Sequence, residues 1–309
     1  MVKENLYTQL KNKLKEKDLS DGSINLYLRN LKKLNNNEEF NSLNFLSKTN
    51  DIIEKIKDLK DNTKRQYLIS IVSCLKVLGN KPALYKKYYK LMIDINDKIK
   101  EKPTEEKTEA QNKNWISWDE VMKIYNDMKD NLKLNKTKIT EKQYNELLNY
   151  VLLSLYVLIP PRRNLDWQKM LILFNGITDD KYNYLDVKNK QFIFNVFKTA
   201  KKDGKLILDI PDDLMLVIDL YLKYHPLNKR SMKKEPVNIP FLVDYKGNPF
   251  LKVNDITRML NKIFHKKVGA SMLRHIYLTG KYGNVLKEQE EDAKAMSHNL
   301  MTQKDYIKA

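Results

Sequence analysis

The sequence has one cysteine, few glycines and no long apolar run. Cys74 is the single cysteine in 309 residues, so a disulfide framework is excluded and a reducing compartment is expected. It lies among apolar residues at helical spacing, which predicts a core position and not a ligand or nucleophile. The longest apolar run, 151–159, is far below the ~20 residues that cross a bilayer. The first residues also lack the apolar stretch of a signal peptide, so we expect a soluble intracellular protein with no membrane partner.

Metal and cofactor motifs are also missing. The four histidines are scattered, and no acidic or cysteine partners stand near them at ligand spacing, which argues against a zinc site. The sequence contains no Walker-type phosphate loop and no G-x-S-x-G nucleophile motif. We therefore expect no metal and no cofactor. If the protein acts on phosphate groups without a metal, the positive charge must come from side chains. Arginine can supply it, because its guanidinium stays protonated and binds two oxygens of a phosphate at once.

Positive charge is what the chain has in excess. Lysine and arginine number 57 against 39 aspartates and glutamates, a net charge of +18 that is spread along the chain. Because neutralised phosphates release counterions, this surplus favours a polyanionic partner. The alternative is that lysine and asparagine are abundant because the genome is biased in composition.

Length and apolar pattern predict two domains. Residues 1–100 show apolar stripes at helical spacing, which predict a small helical domain, with Ser23 as one N-cap and the clearest helix at 64–78. The segment 101–114 has no large apolar residue, a composition typical of a flexible linker. Residues 115–309 then form the second domain.

The second domain is predicted to combine helices with a small sheet. Ser117 and Glu120 form a capping box at its first helix, and Thr140 and Gln143 repeat the pattern before a strongly apolar helix. After Trp167 the apolar period shortens to about 2, which predicts three or four short strands separated by turns. The other predicted elements are a short strand at 239–243 and helices at 212–224, 253–265, 270–280, 286–296 and 301–307. The fold class is therefore mainly α with a small antiparallel β-sheet (α+β).

Two arginines stand out because apolar residues surround them. Arg163, in IPPRRNLDW, precedes Asp166 by one helical turn, so the carboxylate could orient its guanidinium. Arg274, in GASMLRHIYLT, lies in a short helix of apolar residues. An arginine in an apolar helix is costly unless it is paired or functional. Each is therefore either half of a structural ion pair or a binding group for an anion.

Five motifs in a fixed order resemble a known family. They are IPPRRNLD, VFKTAKKDGKLILDIP, SMLRHIYLT, AMSHNLM and TQKDYIK. Their order is similar to the catalytic domain of the tyrosine recombinases, which carry an arginine, a hairpin lysine, a His-x-x-Arg box, a histidine or tryptophan, and a C-terminal tyrosine. The resemblance covers 117–309, and 1–100 looks like the core-binding domain of the family. Each motif is weak alone, but five in this order, with the tyrosine last, are a specific signal.

The resemblance assigns roles to individual residues of this chain. The implied catalytic residues are Arg163, Lys198, Ser271, Arg274, His298 and Tyr306. Arg162 is the alternative for the first arginine and Lys201 for the lysine, while Tyr277 and Tyr282 match the nucleophile less well. The basic residues expected to contact DNA are Lys64, Arg65, Arg162, Lys201 and Lys202.

Three positions depart from the family pattern. Ser271 stands where the family usually has a histidine; it can bind a phosphate oxygen but cannot act as a near-neutral acid or base. Pro160 and Pro161 replace the usual glycine before the first arginine. The sequence stops three residues after Tyr306, so we expect the C-terminal helix that many relatives donate to a neighbouring protomer to be absent or trimmed.

The resemblance implies a site-specific recombinase or integrase. Such an enzyme cleaves and rejoins double-stranded DNA through a 3′-phosphotyrosine without metal, works as a homotetramer on paired sites, and serves a viral or other mobile element in the cytoplasm or nucleus. One alternative is a type IB topoisomerase, which relaxes a single duplex as a monomer. The other is a non-catalytic DNA-binding accessory protein of the same fold, which Ser271 favours.

Overall fold

The chain folds into two compact units, Met1–Glu106 and Lys107–Ala309. The structure, a computed structural model, describes residues 5–101, 106–134, 138–174, 178–227, 239–252 and 254–307, without the side chain of Lys304. Each unit contains a separate cluster of buried apolar residues. The predicted fold class, mainly helical with a small sheet, is confirmed.

Among the described residues of the first unit, all regular secondary structure is helical. The helices are α1 (Leu6–Glu16), α2 (Asp21–Leu34), a short 3-10 helix (Asn44–Ser47), α3 (Thr49–Ile56), α4 (Asp61–Leu78) and α5 (Pro82–Lys100). The predicted N-cap Ser23 is wrong, because α2 begins one turn earlier. The Oγ of Ser20 accepts a hydrogen bond from the Ser23 N–H at 3.2 Å, which makes Ser20 the cap.

Two buried polar side chains inside the first unit form hydrogen bonds between its elements. The buried Tyr88 hydroxyl donates to the Leu46 carbonyl at 2.8 Å, and Asn30 Nδ2 donates to Ser70 Oγ at 3.0 Å. Cys74 is fully buried, as predicted, and burial raises the pKa of its thiol to about 12. The first bond joins α5 to the 3-10 helix, and the second joins α2 to α4.

The predicted linker contains a helix. Residues 101–114 were expected to lack regular structure, but Glu109–Asn114 form α6. A capping box explains it: the Gln111 N–H donates to Thr108 Oγ1 at 3.3 Å, and the Thr108 N–H donates to Gln111 Oε1 at 2.8 Å. The expectation of a flexible segment at 102–105 lies outside the described residues.

Helices also dominate the second unit. They are α7 (Trp118–Asn131), α8 (Glu141–Val157), α9 (Asn164–Gln168), α10 (Ala200–Asp203), α11 (Asp212–Tyr224), α12 (Asp255–Phe264), α13 (Ala270–Ala295) and α14 (Leu300–Tyr306). The capping boxes Ser117/Glu120 and Thr140/Gln143 are confirmed. Helix α8 is the centre of the core, since nearly every residue from Tyr144 onward is buried. Among the described residues, no helix is both long and apolar enough to cross a membrane.

The sheet has five strands and is mixed. Its strands are β1 (Met170–Leu173), β2 (Asn183–Asp186), β3 (Gln191–Phe194), β4 (Leu206–Asp209) and β5 (Ile239–Pro240), in the order β4-β3-β2-β1-β5. The predicted all-antiparallel pairing is wrong for β1 and β2, which run parallel with Met170 opposite Asn183. The prediction took the Asn175-Gly176 dipeptide as a hairpin turn, and these two residues lie outside the described part.

Helix α13 is continuous where two helices were predicted. The expected elements 270–280 and 286–296 are parts of one helix of 26 residues. Gly280 lies within this helix. Its lack of a side chain lets α7 approach closely, because a Cβ at this position would lie 2.6 Å from the Cβ of Trp118. The same contact brings the rings of Trp118 and Tyr277 together edge to face at 5.2 Å.

Candidate functional site

The first arginine box lies between α8 and β1 and is held by a buried carboxylate. Arg162 donates from Nε to Oδ2 of Asp166 at 2.9 Å, and the side chains are 16% and 3% exposed. The Arg162 guanidinium also lies over the ring of Phe194, with Cζ 3.8 Å from the centroid. Sequence spacing predicted Arg163 as the partner of Asp166. Arg163 is instead the N-cap of α9 with extended backbone, so helical spacing does not apply to it.

Three arginines share one electrostatic environment. Burial lowers the pKa of Arg162, Asp166 raises it again, and the positive charges of Arg163 and Arg274 lower it further. Burial likewise raises the pKa of Asp166, against the opposing effect of Arg162 and Arg163. Arg162 and Arg163 act on the Asp166 carboxylate and Arg274 acts on Arg162, so positive charge exceeds negative charge in this group, which favours an anion. In the described residues Asp166 Oδ1 is buried without a hydrogen-bond partner.

Arg274 is contributed by the first turns of α13. Its neighbours Leu273 and Ile276 are buried in the core of the second unit, while Arg274 itself is half-buried. Ser271, one turn earlier, is exposed. The buried apolar residues thus anchor α13 in the core, and this fixes the position of Arg274 on the helix.

Asn164 links the first arginine box to the start of α13. The Tyr156 hydroxyl donates to Asn164 Oδ1 at 2.7 Å, and Asn164 Nδ2 donates to Thr257 Oγ1 at 2.8 Å. Thr257 in turn lies against Gly269, the N-cap of α13. A Cβ added to Gly269 would lie 3.3 Å from the methyl group of Thr257. This chain of contacts joins α8, α9, α12 and α13. No sequence motif indicates a role for Asn164, because an asparagine beside two arginines is not part of a recognisable pattern.

His298 and Tyr306 form a second group at the end of the second unit. Their rings stack with centroids 5.7 Å apart and an interplanar angle of 18°. A left-handed Ser297 (φ 58°) ends the turn after α13, and the Asn299 side chain caps α14 by accepting from the Thr302 N–H at 2.9 Å. His298 Nε2 is buried with no protein partner in the described residues, whereas Tyr306 is 72% exposed. The phenol is thus accessible, beside an imidazole nitrogen that makes no hydrogen bond to described protein atoms.

The predicted lysines and the remaining DNA contacts lie on exposed segments. Lys198 follows β3, and Lys201 and Lys202 lie on α10, between β3 and β4. In the first unit Arg65 is exposed on α4, whereas Lys64 is 4.0 Å from the Asp61 carboxylate. Part of the Lys64 charge is therefore compensated within the same helix.

The structure brings some predicted site residues together and leaves others apart. Arg162, Arg163 and Arg274 interact through charge, and His298 contacts Tyr306. Lys198 and Ser271 make no hydrogen bond or ion pair with these groups in the part of the chain that the structure describes. The same part contains no group of three or more histidine, cysteine, aspartate or glutamate residues that could hold a metal ion.

Comparison with known proteins finds similarity among solved structures alone. No protein-family model and no curated protein matches this chain. Among solved structures, the chain is similar to one described as the crystal structure of XerA recombinase, over 98% of this chain and 93% of that chain, with 12% sequence identity and a TM-score of 0.36. A similarity at this level assigns no activity, so the function must be inferred from the side chains of the site.

Proposed function

We propose that this protein is a site-specific DNA recombinase that cleaves and rejoins double-stranded DNA through a 3′-phosphotyrosine at Tyr306. The observation that carries the proposal is the arginine cluster. Asp166 holds Arg162, and Arg163 and Arg274 are half-buried beside it. Such a site suits a phosphodiester, because preorganised guanidinium groups stabilise the charge that develops on the non-bridging oxygens.

The proposed reaction exchanges one phosphodiester for another. The hydroxyl oxygen of Tyr306 attacks phosphorus and its proton passes to solvent, while the bond from phosphorus to the 5′-oxygen breaks. Lys198 gives a proton to the departing 5′-oxygen. A second DNA end then attacks the phosphotyrosine and releases Tyr306. Because the number of phosphoester bonds does not change, the reaction needs no nucleotide cofactor.

The other site residues support the phosphate. Arg163 and Arg274 bind its non-bridging oxygens, and Nε2 of His298, which has no hydrogen-bond partner among the described residues, can donate to the same oxygens. Ser271, exposed in the first turn of α13, supplies a further hydrogen bond. Arg162 acts mainly by neutralising Asp166 and by adding to the positive field of the cluster.

The surplus of basic residues supports DNA as the partner of both units. The helical first unit would contact the duplex with residues such as Arg65, and the second unit with Lys201 and Lys202. Pairing of two DNA sites by a homotetramer would complete strand exchange. Because phosphate contacts release counterions, DNA affinity should fall steeply as salt increases.

A nicked DNA substrate tests the proposal. Cleavage near a nick releases a short fragment, so religation fails and the covalent protein–DNA adduct accumulates. We expect an adduct that resists denaturation and forms equally well in EDTA, because arginines and Lys198 supply the charge that metal ions supply in nucleases. A strict requirement for magnesium, or no adduct on any nicked or branched DNA, would contradict the proposal and favour a DNA-binding protein without catalysis.

A further inference from the structure

Asn183, the first residue of β2, ties the arginine box to the segment that precedes Lys198. Its side chain is 1% exposed. Nδ2 donates to the backbone oxygens of Asp166 and Val196, each at 2.9 Å. Oδ1 accepts from the backbone N–H groups of Asn195 at 2.9 Å and Val196 at 2.7 Å. A carboxamide has two donor and two acceptor positions, so all of its hydrogen-bonding capacity is used.

These bonds join two parts of the chain that lie outside the strand ladder. Asp166 belongs to α9 and pairs with Arg162, while Val196 follows the end of β3 and stands two residues before Lys198. A buried polar group that is fully hydrogen-bonded resists displacement, because breaking one bond leaves an unsatisfied partner. The carboxamide therefore helps to fix the Lys198 backbone relative to the arginine box, together with the rings of Phe194 and Phe197, which lie 3.8 and 5.7 Å from the Arg162 guanidinium.

We propose that Asn183 is a positioning residue for DNA cleavage, which sets the location of Lys198 relative to the arginines. The inference rests on the proposed function, in which Lys198 protonates the leaving 5′-oxygen. Asn183 is buried, so its effect on the reaction passes through the segment 195–198. Its loss should move Lys198 away from the 5′-oxygen while Arg163 and Arg274 still bind the phosphate.

A substrate with sulfur in place of the bridging 5′-oxygen separates this role from a general loss of structure. A thiol has a pKa of about 8.5. Water has a pKa of about 15.7 and resembles the alcohol of the natural leaving group. A thiolate therefore departs without a proton from Lys198. Attack by Tyr306 and phosphate binding by the arginines are common to both substrates.

The experiment compares single-turnover rates of adduct formation on the oxygen and sulfur substrates. Asn183→Ala should slow cleavage of the oxygen substrate about 10- to 100-fold, at the lower end of what a general acid contributes, and of the sulfur substrate less than about 3-fold. Asn183→Ser provides one hydroxyl that can both donate and accept a hydrogen bond. It should show the same pattern more mildly, and it serves if the alanine variant does not fold.

Asn189→Ala is the matched control. Asn189 Nδ2 donates to Asp186 Oδ2 at 2.8 Å in the turn between β2 and β3, at the end of the hairpin far from Val196. Its removal also deletes an asparagine hydrogen bond within the hairpin, but not the link to Asp166. The ratio of oxygen to sulfur rates in Asn189→Ala should equal that of the wild type.

The outcomes distinguish this inference from the proposed function. Equal slowing of both substrates by the Asn183 variants would overturn the inference and leave Asn183 a purely structural role. A double variant with Lys198→Ala should cleave the oxygen substrate no more slowly than Lys198→Ala alone, and an additional loss would also overturn it. If the wild type forms no adduct on either substrate, the proposed function fails as well.

Discussion

Nε of Arg162 lies 2.9 Å from Oδ2 of Asp166, in an ion pair that the ring of Phe194 covers. Only 3% of the Asp166 side chain is exposed. The pair divides the three arginines of the site by role. Arg162 is engaged by Asp166, whereas Arg163 and Arg274 form no ion pair with a described residue and can bind an anion.

The ion pair predicts a strong loss of stability when only the carboxylate is removed. Asp166→Leu should lower the free energy of unfolding by about 3–5 kcal/mol, because a buried guanidinium is left without compensation. Replacing both partners, as in Arg162→Met with Asp166→Leu, should restore most of the loss, since an apolar pair of similar volume carries no desolvation cost. Chemical denaturation measures both. A double variant as unstable as the single one would show that Asp166 acts through other contacts.

Removal of Arg163 should affect DNA binding and not stability, in contrast to disruption of the Arg162–Asp166 pair. Arg163→Ala should weaken DNA binding and reduce the slope of log affinity against log salt by about 0.9, the value for one lost phosphate contact. Its stability should stay within about 0.5 kcal/mol of the wild type. Fluorescence anisotropy over a salt series checks the first expectation and denaturation the second. An unchanged slope for Arg163→Ala would exclude it from phosphate binding.

Two glycines of α13 make a matched pair for the packing of this helix. Gly280→Ala should destabilise the second unit by about 1–3 kcal/mol, because the new Cβ would lie 2.6 Å from the Trp118 Cβ. Gly283→Ala should instead stabilise it by up to about 1 kcal/mol, since alanine favours helix and its Cβ would meet only the Thr279 methyl at 3.6 Å. Thermal unfolding of the two variants gives the comparison. Equal shifts of both would contradict the close approach of α7 to Gly280.

Elements with local signals were predictable from the sequence, and contacts between distant residues were not. The Ser117/Glu120 capping box lies within four residues, so its helix was predicted correctly at its start. The sequence predicted separate helices at 270–280 and 286–296 where the structure has one. The contact of Gly280 with Trp118 was not predictable, because the two residues are remote in sequence. The parallel pairing of β1 and β2 was also not predicted, since apolar alternation along a strand carries no information on the direction of its neighbour.

The candidate site shows the same division. The order of the motifs predicts Arg274, His298 and Tyr306 as site residues, and this assignment stays a prediction; the structure places the rings of His298 and Tyr306 in contact. The partner of Asp166 was predicted wrongly, because Arg163 caps α9 from an extended conformation. Asn183 had no sequence signal at all, since all its hydrogen-bond partners are backbone groups, which any residue can supply.

Ser271 is the departure from the family pattern with the clearest test. If it contributes one hydrogen bond to the phosphate, Ser271→Ala should slow cleavage by no more than the ~10²-fold cost of one removed donor. Ser271→His should be tolerated or faster, because it restores a group that can transfer protons near neutral pH. Single-turnover rates on the nicked substrate measure both. A much larger loss in Ser271→Ala would mean that the serine takes a direct part in proton transfer.

The covalent role of Tyr306 is the central claim, and the most direct measurement compares adduct formation and DNA binding in Tyr306→Phe and Arg274→Ala. Tyr306→Phe removes one exposed hydroxyl without changing charge, so it should keep the DNA affinity and salt slope of the wild type and form no covalent adduct. Arg274→Ala should lose cleavage and also bind DNA more weakly, with a smaller salt slope. A covalent adduct formed by Tyr306→Phe would contradict the account and make Tyr282 the first alternative nucleophile to test.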